Sequence, residues 1–273
     1  MVAVNKNPEG KTLGSEPSHV SWLTDTGERQ LTACGREIEI WSLDHVEDDA
    51  VLSGWAWHFR QHYINDEDLP AMIDGTELDR AEYLRTIVFP DRMATPGPSL
   101  RSGDFGEILV ADYIEFVLGY WCPRELRYQD RWNRQDSTKG CDVIGFKMAT
   151  DQRAHPNDEL FLFESKSGLS KSAANRLQVA IDDSVKDKLR EGMTLNALKR
   201  RMLIKGDIDQ ANRVKQFQNQ AARPFCRING AAAILDDLVF AETDVAATDA
   251  SAHPNAANPS YSGHGRDSAA GVA

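Results

Sequence analysis

The sequence has no long apolar segment. It contains no run of about 18 apolar residues, the length that a membrane-spanning helix needs, and no apolar core of a signal peptide near its first residue. Its four cysteines include no C-x-x-C pair, which argues against a zinc ribbon and against a disulfide framework. From these absences we expect a soluble protein of the reducing cytoplasm with no membrane partner.

Several common catalytic signatures are also missing. The tripeptide GKT at 10–12 is similar to the end of a phosphate-binding loop, but Asn5 stands where the first glycine is required. Any nucleotide-driven step must therefore come from another chain. No G-x-S-x-G motif occurs. His58 and His62 are four residues apart, yet Phe59 follows His58 where zinc proteases have Glu, so we interpret both as ordinary helix residues rather than a zinc site.

The charge of the chain is unevenly distributed. The formal net charge is −11, which argues against a nucleic-acid partner until the chain is divided. Residues 1–160 carry 16 basic against 29 acidic residues, a net of −13, whereas residues 161–228 carry 14 against 7, a net of +7. This asymmetry is a better guide to binding partners than the total charge, and it indicates that residues 161–228 carry the basic surface for a partner.

Composition and turn-forming residues divide the chain into four parts. The sequence TPGPS at 95–99 is expected to interrupt regular secondary structure, and it marks the main domain boundary. The predicted parts are a flexible lead-in at 1–18, a mixed N-terminal region at 19–98, a core at 99–243 and a low-complexity, disordered tail at 244–273.

Hydrophobic periodicity predicts both helices and strands. Short antiparallel strands are expected over 19–43, with a turn at 25–27. Helices are predicted at 48–64, 69–73, 80–87, 102–120, 172–190, 194–203 and 208–219, the third of them with Asp79 as its N-cap. Strand-like runs flank a loop at 149–158, and one or two late strands fall within 230–243. This alternation predicts an α/β (α+β) core.

One apolar strand ends in charged residues. The run ELFLFESKSG carries Glu164 and Lys166 two residues apart, and a buried charge is expensive unless it is paired or bound to a metal. If this run forms a hairpin with the preceding one, Asp142 lies opposite Ser165 and beside both charged residues. Two carboxylates so close repel each other unless a cation lies between them. Such oxygen ligands suit Mg²⁺ or Mn²⁺, and Lys166 can hold or polarise a metal-bound water as the nucleophile.

Two questions stay open at this point. Lys166 is either part of a catalytic site or a residue that only neutralises a carboxylate at a strand end. The role of Glu107, which interrupts an apolar stripe on the helix predicted at 102–120, is also open. Glu107 is either a further acid that reaches the metal or the N3 residue of a capping box that begins at Asp104.

Basic residues near this cluster form a candidate DNA-binding surface. The stretch 124–139 interleaves arginines with Tyr128 and Trp132, and the stretch 198–205 is rich in Lys and Arg. Basic side chains hold phosphates, and aromatic side chains stack on unpaired bases. The residues predicted to contact DNA are Arg127, Arg131, Arg134, Lys139, Lys199, Arg200 and Arg201. A solvated helix face is the alternative for 198–205.

These residues carry a resemblance to known families. Glu107, Asp142 and the tripeptide at 164–166 resemble the PD-(D/E)xK nuclease pattern of a helix acid, a strand acid and an E-x-K strand, with Cys141 in place of the proline. The stretches at 55–63, 84–120, 137–147 and 160–170 are together similar to the HamA family, the small subunit of the Hachiman anti-phage defence system. The similarity covers most of residues 50–240, and the residues after Asp244 do not match the family pattern.

The resemblance implies a fold, a metal and a partner. The fold is a restriction-endonuclease-like core, the metal is a divalent ion, and the partner is a HamB-like superfamily-2 helicase that restrains the nuclease until infection is sensed. By position, Asp142, Glu164 and Lys166 are the implied catalytic set with Glu107 assisting, and the three carboxylates are the implied metal ligands. The acidic region at 19–98 is expected to dock the helicase.

Two functions compete on this basis. One is a Mg²⁺-dependent deoxyribonuclease that acts as the effector of a defence complex. The other is a non-catalytic DNA-binding or assembly subunit in which the charged cluster is structural. The intact E-x-K with both acids favours the nuclease, because a binding module has no need for a lysine beside two buried carboxylates.

Overall fold

The N-terminal strands form a hairpin whose turn differs from the predicted one. The computed structural model describes residues 16–124, 127–150, 153–170, 174–251 and 269–272. A 3-10 turn at Ser18–Trp22 leads into β1 (Leu23–Leu31), which pairs antiparallel with β2 (Glu37–Leu43). The turn predicted at 25–27 is wrong, because the pairing continues through it with an irregular register. The chain reverses instead at 32–36, where Gly35 has a φ of +81° that favours glycine.

Three helices follow, as local sequence signals predicted. They are α1 (Asp49–Gln61), α2 (Leu69–Ile73) and α3 (Arg80–Tyr83), and α3 continues into a π-helical turn at Leu84–Val88. Asp48 caps α1 by accepting from two amides of its first turn. Asp79 and Glu82 form a capping box at α3, which confirms Asp79 as the N-cap.

A long buried helix begins directly at the predicted chain break. Helix α4 (Gly97–Asp112) starts earlier than the predicted residue 102, and a π-helical turn at Tyr113–Val117 follows it. Asp104 consequently lies inside the helix rather than at its start. This excludes the capping-box explanation for Glu107, because a capping box requires its first residue at the helix N-terminus.

The strands form one mixed sheet of six members. The remaining strands are β3 (Val143–Lys147), β4 (Glu159–Gly168), β5 (Cys226–Leu235) and β6 (Ala269–Val272), and the spatial order is β1-β2-β6-β5-β4-β3. The central pairs β4/β5, β5/β6 and β6/β2 are parallel, and the outer pairs are antiparallel. The mixture of helices and strands confirms the α+β class. The sheet also crosses the boundary predicted at 95–99, since β1 and β2 belong to it.

Helices cover both faces of β4, and this arrangement positions the site. Between β4 and β5 the chain forms α5 (Arg176–Ser184), α6 (Asp187–Ile204) and α7 (Ile208–Gln216). Leu160 and Leu162 pack with residues of α6 and α7, whereas Phe161 and Phe163 pack with residues of α4. Because side chains alternate along a strand, Glu164 continues the face that meets α5 and α6.

The C-terminal segment differs from the predicted disordered tail. Residues 242–247 form helix α8 (Glu242–Ala247), and Val245, Thr248 and Ala250 are buried. Residues 269–272 form β6 between β2 and β5. The prediction of disorder is therefore wrong for 244–251 and 269–272, and the intervening residues lie outside the described part of the chain.

Candidate active site

The hairpin of β3 and β4 brings the predicted strand residues together. Val143 pairs with Phe163, so the register is one residue away from the predicted one and leads Asp142 toward Glu164 instead of Ser165. The backbone amide of Ser165 still donates to Asp142 Oδ2 at 3.0 Å. Asp142 is thus held against β4 by a backbone hydrogen bond and lies where the sequence placed it, at the charged end of β4.

A tight turn before Asp142 depends on Gly140. Its φ is +99°, and a Cβ at this position would lie 2.5 Å from Thr194 Oγ1 on α6. The same hydroxyl oxygen accepts from the amide of Cys141 at 3.0 Å. The approach of α6 to this turn therefore requires glycine and fixes the start of β3.

Lys166 contacts three carboxylates. Its Nζ lies 2.5 Å from Glu164 Oε1, 3.6 Å from Asp142 Oδ2 and 3.2 Å from Asp183 Oδ2 on α5. Burial alone lowers the pKa of an ammonium, but here Asp142 and Glu164 together raise the pKa of Lys166 above its ordinary value. This arrangement therefore favours the charged form of Lys166.

Glu164 is almost fully buried and carries a second cationic partner. Its Oε2 lies 3.2 Å from Nη1 of Arg190 on α6, while Lys166 holds the other oxygen. A buried carboxylate without partners would be costly, and these two contacts offset that cost. Sequence reasoning missed Asp183 and Arg190, because their helices reach β4 only through the tertiary fold.

Glu107 lies on the other side of Asp142. It comes from α4, and its Oε2 accepts from Arg127 Nε at 3.0 Å and from the Tyr128 hydroxyl at 3.1 Å. Arg127 Nη2 is also 3.9 Å from Asp142 Oδ1, so one guanidinium joins the two acids. Burial raises the pKa of Glu107 to about 7, against the opposing attraction of Arg127. Glu107 therefore changes protonation near neutral pH.

Three arginines pair with the three acids of α4. Arg131 holds Asp104, Arg127 holds Glu107, and Arg124 holds Asp112. We call these contacts the α4 ion-pair ladder. The side chains of Arg127 and Arg131 are at most 9% exposed, so their burial argues against the predicted direct contacts with DNA phosphates.

The other predicted DNA-binding residues differ in accessibility, and the side chains of Arg134 and Arg201 are only 23% and 18% exposed. Arg134 pairs with Asp91 and donates to two backbone carbonyls, so its guanidinium is already occupied. Lys139 and Arg200 are exposed, Lys199 donates to Gln218, and Arg201 pairs with Asp130. Of the two aromatic residues between the arginines, Tyr128 is buried, whereas Trp132 is 98% exposed.

Comparison with known proteins gives one decisive result. The family model of HamA matches residues 17–262 of the 273-residue chain. The chain belongs to the HamA family. The match also extends beyond Asp244, which corrects the expectation that the family pattern ends there. A search of curated proteins finds no match.

Family membership gives a biological setting. HamA proteins are components of the Hachiman anti-phage defence system, so this chain belongs to a defence system of several subunits. In the portion of the chain that the structure describes, no helix is both long and apolar enough to cross a bilayer.

Proposed function

We propose that this HamA protein is a metal-dependent deoxyribonuclease, the effector of its Hachiman system, and that Asp142, Glu164 and Lys166 carry the hydrolysis. The supporting observation is that the carboxylates of Asp142 and Glu164 converge on the Lys166 ammonium, at 3.6 and 2.5 Å. With Glu107 on the adjoining helix, this arrangement also supports membership of the PD-(D/E)xK superfamily and its restriction-endonuclease-like core.

The donor set suits a hard divalent cation such as Mg²⁺ or Mn²⁺. Asp142 Oδ2 and Glu164 Oε1 both contact the Lys166 ammonium, and a divalent cation would bind to the same two oxygens. Carboxylate oxygens with water are the ligands that these ions prefer. When bound there, the ion supplies an activated water and stabilises negative charge on the phosphate.

The protein's own residues have separate roles in this proposal. Asp142 and Glu164 would hold the metal, and Lys166, which contacts both carboxylates, would hold or polarise the attacking water. Arg190 fixes the second oxygen of Glu164. Glu107 assists through Arg127, which contacts both Glu107 and Asp142.

One observation favours the alternative of a non-catalytic subunit. Glu107, Asp142 and Glu164 each contact a Lys or Arg side chain, so the cluster neutralises itself without a metal. A DNA-binding or assembly subunit of the same complex requires nothing more. Metal-dependent cleavage separates the two functions.

The test is plasmid degradation by the purified chain, alone and with its helicase. We expect cleavage with Mg²⁺ or Mn²⁺ that EDTA abolishes, while the melting temperature shows that the fold persists. Lys166→Ala is expected to abolish cleavage and to leave DNA binding nearly unchanged, because many phosphate contacts share the affinity. Lys147→Ala, at the exposed end of β3, is the matched control. Undiminished cleavage in EDTA or by Lys166→Ala would remove the proposed mechanism.

We further propose that a HamB-like superfamily-2 helicase docks on the acidic N-terminal region. The structure reduces the number of acidic residues that are candidates for this docking surface. Asp66 is held by Arg60 and Arg80, and Asp79 caps α3, so both have structural roles. Other acids of this region are exposed and do not share those roles: Glu67, Asp68 and Glu77.

Charge reversal at those three acids tests the docking surface. We expect Glu67→Lys, Asp68→Lys and Glu77→Lys together to weaken co-purification with the helicase and to increase unregulated DNA damage when both chains are expressed. Asp237→Lys, on the exposed loop after β5, is the control. Unchanged co-purification would place the docking surface elsewhere, and complete absence of a helicase partner would contradict the two-subunit proposal.

A further inference from the structure

A second cluster of metal-ligating groups lies outside the proposed nuclease site. His19 comes from the 3-10 turn, His58 from α1, and Asp112 from the end of α4. Each offers one ligand atom, and these three atoms all lie within 4.8 Å of one another. No other group of three His, Cys, Asp or Glu ligands meets this spacing in the described ranges of the chain.

The distances resemble those between ligands around a single metal ion. His19 Nε2 is 2.9 Å from Asp112 Oδ2, and His58 Nε2 is 3.1 Å from the same oxygen. His62 Nε2 lies 3.3 Å from His58 Nε2. Tetrahedral zinc with bonds of about 2.0–2.1 Å separates its ligand atoms by roughly 3.3 Å. Both distances to Asp112 Oδ2 are within about half an ångström of that separation.

Several polar atoms converge on His58 Nε2. Its Nε2 faces both Asp112 oxygens, at 3.0 and 3.1 Å, and His62 Nε2 at 3.3 Å. Arg124 Nε donates to His62 Nε2, so that nitrogen acts as an acceptor. A cation at this point engages the lone pairs of the rings and of the carboxylate together.

The local charge permits a dication despite the nearby arginine. Arg124 contacts Asp112 through Oδ1 and Glu115 through Oε2, so one guanidinium serves two carboxylates. Apart from the histidines, Asp112, Glu115 and Arg124 leave a net charge of −1. Arg124 binds the Asp112 oxygen that His19 does not contact, and Oδ2 is left for the metal.

A cavity of about 540 Å³ gives access to the cluster. Its lining includes His58, His62, Glu115 and Arg124. His19 and Asp112 are fully buried behind this lining, and the ring of His19 stacks on Trp55 at a centroid distance of 5.0 Å. An ion can enter from the cavity, and water can complete its coordination from that side.

We propose that His19, His58 and Asp112 bind one Zn²⁺ ion. Imidazole and carboxylate ligands of this number are typical of zinc sites, and the fourth position faces the cavity. The ion joins the 3-10 turn, α1 and α4, three elements that no disulfide connects. Its ligands are distinct from those of the proposed nuclease site, which are all carboxylate oxygens.

Metal analysis of the full chain tests the site. The protein is purified without chelators, and zinc is measured by inductively coupled plasma mass spectrometry. We expect about one zinc per chain in the wild type and a loss of most of it in His19→Gln and His58→Gln. The matched control is His45→Gln, because His45 is exposed and only packs against Trp22. Zinc retained by both site variants, or lost equally by the control, would overturn the assignment.

A second measurement does not depend on whether the variants fold. The wild-type chain is stripped of metal and titrated with Co²⁺, and its visible absorption is recorded. We expect an absorption that saturates at one equivalent and is reversed by Zn²⁺, together with a higher melting temperature when zinc is present. A wild-type chain that retains no zinc and shows no saturable cobalt absorption would mean that the cluster is only an ion-pair network.

Discussion

Glu107→Gln is expected to stabilise the protein above neutral pH although it changes a proposed active-site residue. Burial raises the pKa of Glu107 from an ordinary 4.5 to about 7. The folded state therefore binds this proton more tightly than the unfolded state does. The cost of ionising Glu107 is absent below pH 4.5, grows as the pH rises, and is complete above about pH 7.

The two pKa values set the magnitude. The difference between 4.5 and about 7 corresponds to about 3 kcal/mol of unfolding free energy. Glutamine removes the charge and keeps an oxygen that can accept from Arg127 and Tyr128. At pH 8 we expect Glu107→Gln to be more stable by about 3 kcal/mol, a rise in melting temperature of roughly 6–12 °C. At pH 5 the gain falls below about 1 kcal/mol.

Thermal unfolding at pH 5 and pH 8 measures this difference. The buffers contain EDTA, because a bound cation would lower the cost of ionising the carboxyl. The control is Glu28→Gln on β1, where the side chain is exposed and the same substitution should change little at either pH. If Glu107→Gln were no more stable than the wild type at pH 8, or equally stabilised at both pH values, the buried carboxyl would not carry this cost.

The same variant separates stability from activity. If Glu107 assists the nuclease through Arg127, Glu107→Gln should cleave DNA more slowly while it melts at a higher temperature. Such an opposite change is expected where a functional site keeps an unfavourable charge. A stabilised variant with full activity would limit Glu107 to a structural role.

Two further predictions concern the core. Asp104→Ala leaves the Arg131 guanidinium buried without its carboxylate, so it should cost about 3–5 kcal/mol in urea unfolding, and an unchanged midpoint would contradict the buried pair. Gly230→Ala places a Cβ 2.2 Å from the ring of Phe163, so it should cost about 1–3 kcal/mol through overpacking, and a neutral result would show that the ring can move aside.

Local signals in the sequence predicted the helices around the N-terminal region and the position of the E-x-K strand. The first residues of α1 and α3 follow from Asp48 and Asp79, whose side chains cap the first turn of each helix. The alternation of Leu160, Leu162 and Glu164 follows from the pleat of a single strand. Such features depend on residues that are near one another in the chain, so one sequence is enough to find them.

Long-range partners could not be found in this way. The arginines at 127 and 131 have the same sequence pattern whether they face DNA or a buried acid, and only the fold shows that Glu107 and Asp104 receive them. The strand β6 is similar, because its small residues carry little strand signal and its pairing comes from β2 and β5. His19 and Asp112 are 93 positions apart, so no spacing rule could join them to His58.

The α4 ion-pair ladder connects the two proposed sites. Arg124 lies beside the zinc cluster, and Arg127 lies beside the nuclease acids, three residues further along the same segment. Both arginines pair with α4, so a shift of this segment along the helix would change the partners of Asp112 and Glu107 together. Loss of Arg127 from its position would leave Asp142 with Lys166 as its remaining basic contact among the described ion pairs. Because a carboxylate that loses a nearby cation attracts another cation more strongly, that change would favour binding of a divalent cation by Asp142. The position of this segment therefore links the pairing of Asp112 to the charge balance around Asp142.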